Sequence, residues 1–117
     1  MNQQDIKHAF IINNFDELVL ALKKADNTII TTPEDAISYM GLLYIEQMLE
    51  LAAQSYEDVY KRFILNTKDN AAICHLALKG KIKHILFAGN KEMFLKLAEI
   101  ATNSQKTLYF TDNSKNY

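Results

Sequence analysis

The sequence predicts an α/β protein: a small three-layer α/β/α sandwich around a mainly parallel sheet of four or five strands. Three observations carry that prediction. Three short apolar runs, Ile64-Leu65-Asn66-Thr67, Leu86-Phe87-Ala88-Gly89 and Leu108-Tyr109-Phe110-Thr111, recur at intervals of 22 residues. Each closes in a small or polar turn, and the first two lead into amphipathic helical segments. Hydrophobic residues make up 49% of the 117, enough for one buried core. Strands separated by helices run parallel, with right-handed crossovers. The expected strand order is 2-1-3-4-5.

Taken in order, residues 1–7 read as a loose tail and residues 8–12 as a short first strand. Asn14 caps a helix over 15–25, with Glu17 three residues on as its capping-box partner. Phe15, Leu18, Leu22 and Ala25 share its apolar stripe, and Asp26-Asn27 turns the chain. Residues 28–31, Thr-Ile-Ile-Thr, are β-branched throughout and predict a buried strand. Thr32-Pro33-Glu34-Asp35 then has the grammar of a helix start: a capping hydroxyl, a proline for the first position and two acids for the positive end. A long helix over 33–55 follows. A strand over 60–66, a helix over 69–79 closed by Gly80, a strand over 84–88, a helix over 91–102 and a strand over 106–111 complete the domain. Residues 112–117 form a polar tail.

The 22-residue interval is simply the length of a βα unit with a three-turn helix, so it does not require a duplication. The units are similar to those of flavodoxin-like proteins, whose strand order is the one expected, and of aldolase-like proteins. Half of a (β/α)8 barrel is the second architecture. The likeness is generic and carries over no functional residue.

Charge and composition exclude several classes. Thirteen basic and 14 acidic side chains leave a net charge of −1, and Arg62 is the sole arginine. Nucleic-acid binding needs clustered Lys and Arg, and Lys79, Lys81 and Lys83 read instead as the solvated end of a helix. The six tyrosines are not interleaved with arginine, so they do not make a base-stacking platform. Cys74 is the single cysteine; no intrachain disulfide is possible, which points to the cytoplasm. The longest apolar stretch, 36–53, contains Glu46 and Glu50 and reads as an amphipathic helix rather than a membrane span. His8, His75 and His84 have no ligand spacing, so no metal is expected. Ala88-Gly89-Asn90-Lys91 has one glycine where phosphate loops need several, so no nucleotide cofactor is expected.

Chemistry in such folds gathers outside the carboxyl ends of the strands. There the sequence places Thr31 and Thr32; Asn66, Thr67, Lys68 and Asp69; Gly89, Asn90 and Lys91; and Thr111 and Asp112. Hydroxyls, amides, two lysines and free helix N–H groups suit a small anionic or polar ligand. Lys68 and Lys91 each oppose a helix dipole, at a cost of ~0.3–1 kcal/mol. The expectation is a small binding or interaction module. The competing expectation is an enzyme using Lys68 or Lys91 with Asp69 or Asp112.

The long helix is apolar on too many sides. At 100° per residue Ile37, Tyr44, Met48 and Leu51 face the sheet. Leu42, Leu49 and Ala53 then fall opposite, beside Tyr39 and Glu46, as a patch suited to a homodimer. Gly41 inside this helix costs about 1 kcal/mol relative to alanine.

Overall fold

The computed structural model describes residues 8–24 and 28–111. The expected turn at Asp26-Asn27, both tails and Asp112 lie outside them. Three asparagines start three of the helices. Asn14 opens α1 (Phe15–Leu22), and its side chain accepts from the Glu17 N–H at 2.8 Å. Glu17 reaches back as expected, but one residue further, to the Asn13 N–H at 2.9 Å. Asn70 opens α5 (Ala71–Leu78) by accepting from Ile73 N–H. Asn90 opens α6 (Lys91–Asn103) by accepting from Met93 N–H. Between them lie α2 (Ala36–Tyr39), α3 (Leu42–Ala53) and α4 (Val59–Arg62).

Five strands, β1 (Phe10–Ile11), β2 (Ile30–Thr31), β3 (Phe63–Asn66), β4 (His84–Phe87) and β5 (Thr107–Phe110), form one all-parallel sheet. The α/β class and the parallel sheet are therefore as the sequence predicts. The order is not: the strands run β1-β2-β3-β4-β5, in place of 2-1-3-4-5. Both orders use the same βα units, and nothing local in an apolar strand states its neighbour.

The order has a consequence for layering. When each strand is added on the same side with crossovers of one hand, the helices fall on one face. The core agrees. Ile30, Phe63, Leu65, Ile85 and Phe87 point to one side of the sheet and belong to a single cluster. Leu18 of α1, Leu49 of α3, Leu78 of α5 and Leu97 of α6 join the same cluster. Ile64 and Leu86, which alternate with them, are buried too but lie outside that cluster. Among the described residues the molecule is helices on one sheet face, the progression of half a (β/α)8 barrel, without the second helical layer of a sandwich.

The long helix is corrected too. Gly41, at φ +80° and ψ 150°, breaks it into α2 and α3. The break resets the helical phase, so Ile45, Met48, Leu49 and Ala52, spaced i, i+3, i+4, i+7, become the buried stripe. Tyr44 and Leu51, expected on the sheet, are exposed. The strand expected from residue 60 begins at Phe63, after the helical turn of α4.

Candidate functional site

Parallel pairing brings the carboxyl ends of β2, β3 and β4 side by side, with strands about 4.8 Å apart. The loop after β3 is bonded to the one after β4: Ala88 N–H donates to the Lys68 carbonyl at 2.6 Å, and Thr67 N–H donates to the Leu86 carbonyl at 3.0 Å. The edge beside β5 is closed by Thr111 N–H on the Phe87 carbonyl, at 3.1 Å. The order has no reversal of direction, so there is no crevice at a topological switch point. A site at this end is built from the βα loops, as on the carboxyl face of a barrel.

Several of the expected ligand residues have structural tasks. The buried Thr67 hydroxyl donates to the Leu86 carbonyl at 3.0 Å. Thr31 likewise donates to the Ile64 carbonyl at 2.7 Å. Asn66 Oδ1 accepts from Lys68 N–H at 2.9 Å, a tight turn that leaves Lys68 at φ +53°. Gly89 is buried, and a Cβ there would meet the Phe87 ring at 2.5 Å, so close packing explains its glycine. Asn90 is a helix cap. Asp69 is not: the cap is Asn70, one residue later.

Three groups at this edge keep free chemistry. Lys68 and Lys91 are exposed on consecutive loops. Thr32 was expected to cap a helix, but α2 starts at Ala36 behind Asp35, which makes no side-chain cap bond. The Thr32 hydroxyl is instead buried, at 2% exposure, with no hydrogen-bond partner among the described residues. The first N–H groups of α6 also lie here, with Glu92 already placing one negative charge in that turn.

The homodimer patch does not form as expected. Leu49 is fully buried, and Leu42 and Ala53 pack against the core. Tyr39 is exposed, and Glu46 is half-exposed. The exposed apolar side chains of α3 are Leu43, Tyr44 and Leu51.

Sequence reasoning passed over one pair. His84 Nδ1 lies 3.1 Å from the Tyr109 hydroxyl, on the sheet face opposite the core. Burial above all holds the imidazole below its usual pKa. The clue is period-two alternation: His84 is in register with Thr107, two residues before Tyr109 on the same face. Cys74 is buried, and its pKa is pushed up to about 11 by that burial. A thiol so placed is inert. No group of three or more His, Cys, Asp or Glu side chains suited to a metal occurs among the described residues. No helix among them is long and apolar enough to cross a membrane. No family model, curated protein or solved structure matches the chain.

Proposed function

We propose that the chain is a cytoplasmic binding module that holds a small anionic metabolite at the carboxyl edge of β2, β3 and β4. The observation that carries this reading is the Thr32 hydroxyl, buried at the end of β2 with no partner among the described residues. A buried hydroxyl without a partner costs about 1–3 kcal/mol, and a bound acceptor removes that cost. Lys68 and Lys91, on loops joined by the Lys68–Ala88 hydrogen bond, supply positive charge on the next two loops along the same sheet edge. Binding is favoured over catalysis because both lysines are exposed. A nucleophilic lysine needs burial or a neighbouring cation to shed its proton at neutral pH. The cytoplasmic assignment rests on the single, buried and inert thiol.

The test is a thermal-shift panel of phosphorylated and carboxylated metabolites, since a ligand specific for the folded state raises Tm by mass action. One class is expected to raise Tm in a dose-dependent way. Lys68→Ala and Lys91→Ala should each reduce the shift. Thr32→Val should abolish or weaken it while leaving the ligand-free protein as stable or more so, by up to ~1 kcal/mol. A ligand shift that survives all three substitutions places the site elsewhere and removes the proposal.

A further inference from the structure

A cleft of about 490 Å³ lies in the helical layer toward the amino ends of β3 and β4. It runs between α3 and the segment Gly80, Lys81, Ile82 that leads into β4. Its volume falls within the usual range for small-molecule sites. Leu43 and Leu51, 67% and 52% exposed, form one wall, and the buried Ile82 and the half-buried Tyr60 contribute the other. So much apolar surface left open beside a concavity is the feature that calls for a ligand.

The charges on this cleft do not cancel. Its ionised side chains are Glu46, Glu50 and Lys81. Lys81 Nζ is taken by Glu50, at 2.8 and 3.0 Å from the two carboxylate oxygens. Glu46 has no ion-pair or hydrogen-bond partner among the described residues. Its carboxylate lies against Gly80, where any Cβ would collide with it. The same field reaches Tyr60, whose hydroxyl is made less acidic by burial first and by Glu50 next. The side chains lining the cleft thus carry one net negative charge, with the Lys106 ammonium held on the Gly80 carbonyl at its edge.

We infer that this cleft binds a small organic monocation, a primary amine on an apolar chain or ring, with its ammonium on Glu46 and its apolar part on Leu43, Leu51 and Ile82. Charge complementarity selects the head, and the leucine wall selects the body. The site is separate from the anion site at the strand carboxyl ends and does not depend on it.

The probe is n-hexylammonium, followed by methyl and amide NMR shifts, with hexanoate and hexanol as controls. Hexylammonium is expected to give saturable shifts confined to Leu43, Leu51, Ile82 and their neighbours. Glu46→Gln should weaken it roughly fivefold, as loss of a partly exposed charged contact does. Lys81→Gln, which leaves both carboxylates unneutralised, should tighten it. An unchanged Tm for both variants confirms that each still folds. Equal binding of hexanol and hexylammonium would show unspecific apolar contact and overturn the inference. So would an affinity indifferent to Glu46→Gln, or an absence of saturable shifts. Cleft shifts that change with protein concentration alone would assign the surface to a second copy of the chain instead.

Discussion

The guanidinium of Arg62 reaches the carbonyls of Ala21 and Leu22 at 3.1 Å each and of Thr28 at 3.0 Å. Two of these are carbonyls in the last turn of α1, beyond the reach of regular helical partners, and that of Ala21 also accepts from the Lys24 N–H at 3.1 Å. Asp58, one helical turn earlier and 3.4 Å away, steadies the charge. The only arginine of the chain is therefore a buried clasp between α1, the entry to β2 and α4, and is not offered to a ligand. Lysine cannot repeat this, because one ammonium lacks the planar fork that reaches three acceptors at once. Arg62→Lys should lower unfolding free energy by on the order of 3 kcal/mol, read from urea denaturation. A variant as stable as the wild type would mean that the fork is not what holds these carbonyls. The same logic separates Thr32 from Thr31 and Thr67 at the strand edge. Three threonines look alike in the sequence, but two spend their hydroxyls on neighbouring strands, and Thr32 has no partner among the described residues.

At the level of elements, Gly41 decides more than any other position. Its φ of +80° with ψ of 150° lies in a region that a side chain rarely enters, and a Cβ there would meet nothing within 4 Å. The cost of a substitution is then purely one of backbone. Gly41→Ala should destabilise by ~1–3 kcal/mol. In an unbroken helix the same change would stabilise by about 1 kcal/mol, so the sign of the shift in urea midpoint separates the two arrangements. The break also explains why periodicity carried through residue 41 turns the stripe: Met48 is buried as expected, but Leu49 is buried in place of Tyr44 and Leu51. A helical phase carries no information across a residue that leaves the helix. The cap of α5 is likewise set from outside the helix. Asp69 and Asn70 are both good caps, and the turn fixed by Asn66 and Lys68 selects the second.

For the whole molecule, the sheet face away from the core carries a pH dependence. His84 is half-buried against Tyr109, with its pKa lowered below 6.5 by burial. The unfolded chain therefore takes up the proton first as pH falls. Stability contributed by the neutral imidazole is present above about pH 6.5 and is lost progressively below it. The fall in urea midpoint between pH 7.5 and 5 should be smaller for His84→Gln than for the wild type. An identical fall would assign the whole effect to other groups. The α/β class, the positions of β4 and β5, the carboxyl end of β3 and the cap at Asn14 were legible in the sequence. Each depends on residues within one turn or one strand, where alternation, helical period and side-chain caps act locally. Strand order, the single helical layer, the inward turn of Leu49 and the isolation of the Thr32 hydroxyl were decided only by tertiary structure. Those depend on which apolar strand lies beside which, and on where the chain must bend to let them meet. Hydrophobic burial is non-directional, so a pattern that states that a residue is buried does not state against what.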